Sequence, residues 1–252
     1  MKIKVTFLLV TTFFITNFQL LAQKNVVKLN LPSLAVGNIY LSYERVLTDK
    51  KSVNVAVSFM PSKGLMFSDL LSKNNSTSVN SDDSGLKYED IKMSGFSVTP
   101  EFRFYTARRK EAPRGFYVAP YIKYQMINFK GDYTKTYTNN DYPNGHTAHF
   151  NGKGNYGVMA AGVLLGYQWL IADRVSIDWS FFGLGLGNYK LKLTESSQDA
   201  GPNYYKSGGS GDFQFDSVIG SPSYSTTPTS RTGSVSFFLP HLRSGLAIGF
   251  AF

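Results

Sequence analysis

Leu242-Arg-Ser-Gly-Leu-Ala-Ile-Gly-Phe-Ala-Phe252 closes the chain with side chains that alternate one by one between apolar and small or polar. Leu242, Leu246, Ile248, Phe250 and Phe252 share one face; Arg243, Gly245, Ala247, Gly249 and Ala251 share the other. A period of two is strand chemistry, because successive Cβ atoms point to opposite sides of a sheet. The alternation runs to the last residue, so the chain is expected to finish inside a β-strand.

Working back from this end, seven more alternating segments are separated by turn chemistry. They are read as about 25–31, 38–47, 52–60, 93–105, 115–127, 155–170 and 175–187, with the eighth ending at Phe252. After the tight 32–37 connection, the links run short, long, medium, long, short, long. That asymmetry predicts a transmembrane, antiparallel, up-and-down β-barrel of eight strands, with short periplasmic turns at one end and long extracellular loops at the other. An even count returns both termini to the periplasm. Pro100 and Pro120 each lack a backbone donor in mid-strand, so bulges are expected there, and Pro240 places the start of the last membrane strand at His241, with Gly233 to Leu239 extending above the bilayer.

The opposite end of the chain agrees. Lys2 and Lys4 precede a largely apolar stretch that closes on Leu20-Leu-Ala-Gln23, so residues 1–22 read as a secretory signal and 23–252 as the barrel domain. No other run approaches the ~18 apolar residues of a helical span. The chain has no cysteine, so neither a lipoprotein anchor nor a disulfide is expected. Aromatic residues make up 15% against 17% charged, a balance suited to strands whose apolar face meets lipid and whose ends carry aromatic girdles. The net charge of +9 comes from scattered Lys and Arg without a nucleic-acid motif, so no nucleic-acid partner is expected.

Alternation alone does not say which face points inward. The signal, the terminal Phe and the loop asymmetry together assign the apolar face to lipid. The other face then brings Lys28, Glu44, Glu101, Arg103, Lys123, Asp178 and Arg243 into a lumen only wide enough for its own side chains, where they should pair and plug it. Tyr43, Phe104, Phe116, Tyr167, Trp169, Phe250 and Phe252 are expected at the periplasmic girdle.

Asn25-Val-Val-Lys-Leu-Asn-Leu31, Tyr43-Glu-Arg-Val-Leu-Thr-Asp-Lys50, Gly166-Tyr-Gln-Trp169, Asp178-Trp-Ser180, Leu239-Pro240 and the terminal Gly245–Phe252 resemble a functionally uncharacterised family of small outer-membrane barrels from Bacteroidetes-type bacteria, similar in architecture to the OmpX and OmpA transmembrane barrels. The resemblance covers nearly the whole chain after residue 22 except the three long loops. It implies that Phe250 and Phe252 belong to the recognition signal for the barrel-insertion machinery, and that outer-membrane lipids and lipopolysaccharide surround the protein. It implies no activity.

Resident outer-membrane barrels include lipid A acyltransferases, deacylases and proteases, so the histidines bear on an enzymatic role. His146 and His149 share a loop without a spaced Ser or acidic partner, and His-x-x-His in a loop is a weak metal signature. His241 is read as a rim residue. No catalytic, cofactor or metal site is therefore assigned, and the chain is expected not to be an enzyme. The loops at Asp132–Tyr142 and Gly201–Tyr205 mix Tyr with Asn, Ser and Gly, a composition suited to an extracellular ligand. Asn75-Ser-Thr77 matches a glycosylation sequon of little weight. Arg108, Arg109, Lys110 and Arg114 form a basic turn, expected to be solvated. The function expected is a structural or surface-interaction role, with porin-like passage of small or hydrophobic solutes as the alternative and a lipid A-modifying enzyme behind it.

Overall fold

The computed structural model describes residues 24–65, 90–106, 111–138, 142–201, 204–205 and 221–252; the expected signal, the sequon and Arg108–Lys110 lie outside them. The described residues form one antiparallel sheet of nine strands and a single helical turn. In chain order these are β1 (Asn25–Asn30), α1 (Leu31–Ala35), β2 (Ile39–Thr48), β3 (Lys51–Gly64), β4 (Lys92–Tyr105), β5 (Gly115–Tyr137), β6 (His146–Ile171), β7 (Val175–Ser196), β8 (Ser221–Thr227) and β9 (Ser230–Ala251).

Neighbours in sequence pair from β1 through β7, β7 then pairs with β9, and β9 pairs back with β1 from Val26↔Ala251 to Asn30↔Ala247. Eight strands therefore close on themselves. The ninth, β8, is the departure from the expected count. It lies against the far end of β9, from Ser221↔Ser236 to Thr227↔Ser230, within a stretch read as loop. Phe252 is held by reciprocal backbone bonds with Asn25, at 2.9 and 3.1 Å.

Three strands run well past the expected limits. β5 and β6 continue as one ladder to Tyr137↔His146, so most of the 128–154 segment is paired strand. β7 likewise extends to Ser196 against Ser230 of β9. The bulges expected at Pro100 and Pro120 are absent: Pro100 lies opposite Val55 and Pro120 opposite Val163, with no change of register. The β4–β5 pairing passes over Thr99 and Pro100 and resumes at Glu101↔Tyr121 in the same register, so the missing proline donor falls where the ladder lapses. Pro240 sits inside β9 opposite Leu186, and the strand runs on beyond it through the extension expected over Gly233–Leu239. Register does shift at Val46/Thr48, Met60/Lys63, Leu165/Gly166 and Ser180/Gly183.

The 32–37 connection is α1. Asn30 caps it by accepting from the Ser33 N–H at 3.0 Å, and Pro32 sits in its first turn, where its missing donor costs nothing. The β6–β7 connection is a tight turn closed by Arg174 N–H to Ile171 C=O, with positive φ at both Ala172 and Asp173; this is the primed geometry that follows the twist of a hairpin.

Burial is inverted relative to a water-soluble domain. Glu44 is 0% exposed and Lys28 1%, while Val163 exposes 47% of its surface and Val57, Phe96, Ile122, Trp179, Leu184 and Ile248 are comparably open. The inside of the ring is polar, with a small aromatic cluster of Tyr105, Tyr117, Tyr121, Ala119 and Leu164. Packing there is tight. A Cβ at Gly166 would lie 2.3 Å from Tyr117 Cζ and its hydroxyl, so Gly166→Ala is expected to cost ~1–3 kcal/mol through overpacking, read as a lower urea midpoint.

Candidate functional site

Each of the eight ring strands sends at least one polar side chain to a common interior cluster, because successive side chains of a strand alternate between the inside and the outside of the ring. Lys28 on β1 donates to Glu44 Oε2 at 2.5 Å, Asp178 Oδ2 at 2.6 Å and Gln168 Oε1 at 2.9 Å. Arg103 on β4 donates to Glu101 Oε2 at 2.7 and 2.9 Å and to Asp178 Oδ2 at 2.6 Å. Its guanidinium carbon stands 4.4 Å from the centroid of the Tyr117 ring on β5. Tyr105 donates to Glu44 at 2.6 Å, Tyr117 to Asp178 at 2.7 Å, Ser52 to Glu44 at 2.5 Å and Asn54 on β3 to Glu101 at 3.0 Å. Arg243 on β9 completes the set, pairing with Glu101 Oε1 at 2.5 Å and donating to Tyr40 at 3.0 Å.

Three cations and three carboxylates are thus joined: Lys28, Arg103 and Arg243 with Glu44, Glu101 and Asp178. Buried charges persist only when paired and hydrogen-bonded, and this cluster satisfies them from both sides. Sequence reasoning named these six. It missed Gln168, Tyr105, Tyr117, Ser52 and Asn54, which link them; all five lie on the inward parity of their strands, and that was the available signal.

Lys123, the seventh expected member, stands apart. Among the described residues it joins no ion pair, and the Arg243 guanidinium acts on it by charge repulsion. His241 is not at a rim: it is 8% exposed inside the ring, its Nδ1 2.9 Å from the Tyr189 hydroxyl and its Nε2 buried without a partner among the described residues. Tyr121 and Tyr189 flank it with ring centroids 6.2 and 6.3 Å away.

The residues expected at the girdle lie at the end that carries the 49–50 and 172–174 turns. Phe116 is opposite Tyr167, Trp169 opposite Ile177, Phe250 opposite both Val27 and Val175, and Phe104 opposite Lys51 and Val118. Tyr43, Phe104, Trp169 and Phe250 are exposed. Tyr167 and Trp169 pack with ring centroids 4.6 Å apart, and Tyr43 donates to Asn25 at 2.6 Å.

At the other end, Tyr133, Tyr137, Phe150, Tyr204 and Tyr205 gather around Ala148 and Ala200. Tyr133 donates to Glu195, and burial, together with that bond, pushes its phenol well above the ordinary range. Beside this cluster is an open cleft of about 880 Å³, lined in part by Asp90, Asp132, His149, Ser197 and Asp199. The Ser197 hydroxyl, 2.8 Å from Asp199, and the His149 backbone N–H hold the Asp199 carboxyl below its usual range. His146 approaches the Asp199 carbonyl at 2.7 Å and stacks on Tyr142 at 4.1 Å. Among the described residues no group of three metal-ligating side chains converges.

A comparison with solved structures aligns the chain with the outer membrane protease OmpT from Escherichia coli, over 90% of this chain and 92% of that one, at 7% identity and a TM-score of 0.36. The expectation that the chain is not an enzyme does not stand, since the protein it aligns with is a protease; so distant a likeness assigns no activity to this chain either. Among curated proteins no sequence match is found. The model of one family matches residues 5–200, more than half of the chain, and by that match the chain belongs to the family described as Protein of unknown function (DUF3575).

Proposed function

We propose that this protein is an eight-stranded outer-membrane β-barrel, its lumen closed by the interior charge cluster, that carries an ordered β-rich platform for contacts outside the cell. The inverted burial carries this reading. A belt of exposed Val, Leu, Ile and Phe surrounds a core of paired Lys, Arg, Glu and Asp, the arrangement that hydrocarbon stabilises and water does not. Lipid then surrounds the belt, Tyr43, Phe104, Phe116, Tyr167, Trp169, Phe250 and Phe252 form the periplasmic girdle, and the last strand is what the insertion machinery reads.

Beyond the belt, β5, β6 and β7 rise as continuous ladders with exposed Lys130, Asp132, Lys190 and Lys192. The Tyr-rich cluster stiffens this extension, and the adjoining cleft presents Asp132 and Asp199 to an extracellular ligand. An eight-stranded ring leaves space for side chains and little else, and the charge cluster fills it. Planar-bilayer recordings of the purified protein are expected to show no steady open-channel current; currents of porin size refute the closed lumen.

A further inference from the structure

Lys92, Lys130 and Lys153 fall in one row across three neighbouring strands. Lys92 of β4 lies opposite Lys130 of β5, and Lys130 lies opposite Lys153 of β6. All three are exposed, and each shares the outward parity of an exposed apolar residue lower on its own strand, Phe96, Tyr124 and Met159 respectively. Like charges set directly opposite one another destabilise a sheet, because their Cβ atoms stand only ~5 Å apart. Here that repulsion is met twice in one row. Among the described residues none of the three joins an ion pair, and Asp132, the next outward side chain on β5, accepts from Asn151 directly opposite. The row therefore stands to gain from an anion supplied from outside the chain.

The next rows identify that anion. Below the lysines comes a neutral row, Ser94 opposite Asn128 and Asn128 opposite Asn155, in which the Asn155 amide donates to Asn128 at 2.6 Å. Below it the apolar belt begins, with Phe96 opposite Met126, and Tyr124 opposite both Val98 and Met159. On β7 the same boundary falls lower: exposed Lys192 lies opposite Asn155 and exposed Lys190 opposite Gly157, with Leu186 beneath them. Cation, neutral donor and hydrocarbon-facing side chain follow one another down each strand. A phosphate-bearing lipid presents the complementary groups in the same order: phosphate, carbonyl oxygens, acyl chains.

From this order of layers, we infer that the outer face of β4 to β7 is a docking strip for anionic, phosphate-bearing lipids of the leaflet at the loop end. Their phosphates lie across Lys92, Lys130 and Lys153, their carbonyl oxygens meet Asn128 and Asn155, and their chains run down over the belt. The inference rests on the membrane reading above. A free anion would match the lysines alone; only a lipid also matches the rows beneath them.

The chain has no cysteine, so Met159→Cys gives a single attachment point for a bimane label just below the strip. The full labelled protein is folded in phosphatidylcholine vesicles that contain a minor share of either phosphatidic acid or phosphatidylcholine with a nitroxide on its acyl chain. Phosphatidic acid is expected to quench the label more strongly. Replacing Lys92, Lys130 and Lys153 together with glutamine is expected to lower that preference by about fivefold or more, the attraction of a single lysine at a membrane surface. Trp169 and Trp179, toward the turn end, report the same lipids away from the strip and should keep their quenching through the triple substitution. Equal quenching of the label by the two lipids, a preference unchanged in the triple variant, or a loss shared equally by the tryptophans overturns the strip. Quenched tryptophans beside a label without preference refute the strip alone, whereas tryptophans and label that neither lipid reaches refute the membrane reading as well.

Discussion

Replacing Arg103 with leucine is expected to lower the unfolding free energy by ~3–5 kcal/mol, the range for breaking a buried ion pair from one side. Arg103 touches Glu101 and Asp178 directly and Glu44 at 3.4 Å, so its loss leaves three buried carboxylates with only Lys28 and Arg243 to offset them. Urea unfolding of the protein in vesicles, followed by gel mobility, reads this as a large drop in midpoint. The double variant Arg103→Leu with Asp178→Leu removes one charge of each sign. Glu44 then keeps Lys28 and Glu101 keeps Arg243, so the pair should cost less than the sum of the two single changes, with a coupling of ~0.5–3 kcal/mol. Strict additivity would show that the two side chains do not act as a unit.

The second large effect is on the outer face. Val163 lies in mid-belt, opposite Pro120 and Leu184, and half of its side chain is exposed. On the surface of a water-soluble sheet, Val163→Arg would change stability by no more than ~0.5 kcal/mol. Facing hydrocarbon near the bilayer midplane, the same change is expected to cost ~2–4 kcal/mol. The two outcomes differ enough for a urea titration in vesicles to separate them. Val163→Leu, measured alongside, controls for side-chain size and should remain close to the parent.

Much of this was legible in the sequence because a period of two survives wherever both faces of a strand have a consistent solvent. Val53, Val55, Val57 and Phe59 against Ser52, Asn54 and Ser58 locate β3 without ambiguity, and Lys28, Glu44, Glu101, Arg103, Asp178 and Arg243 fall on one parity for the same reason. The pattern faded for two physical causes. Above the belt a strand has water on its outer face, so Asn128, Lys130, Asp132, Thr134 and Thr136 make one parity wholly polar while the other mixes Phe129, Tyr133 and Tyr137 with Gly131 and Lys135, and Asn128–Tyr137 composes like a loop although it is paired throughout. Within β7, the register shift between Ser180 and Gly183 leaves Phe181 and Phe182 both exposed and reverses the parity, so that Tyr189, Leu191 and Leu193 continue the inward face that Ser176 and Asp178 begin. A reading that carries one parity through the segment stops near Gly187.

The closure of the ring was beyond sequence reasoning altogether. How far β1 reaches along β9 depends on a register between residues more than two hundred positions apart, and no local pattern encodes it. His241 illustrates the same point: the proline before it suggested a strand start at a rim, whereas the ladder runs through Pro240 and carries the imidazole to the Tyr189 hydroxyl.

The chain has only two tryptophans, and both lie on the exposed apolar face, Trp169 opposite Ile177 and Trp179 opposite Leu246. Their fluorescence therefore tests directly whether that face meets hydrocarbon. With the protein folded in vesicles of phosphatidylcholine brominated on its acyl chains, strong quenching is expected, together with little quenching by aqueous iodide. Emission quenched by iodide and indifferent to the brominated chains would place the belt in water and contradict the account.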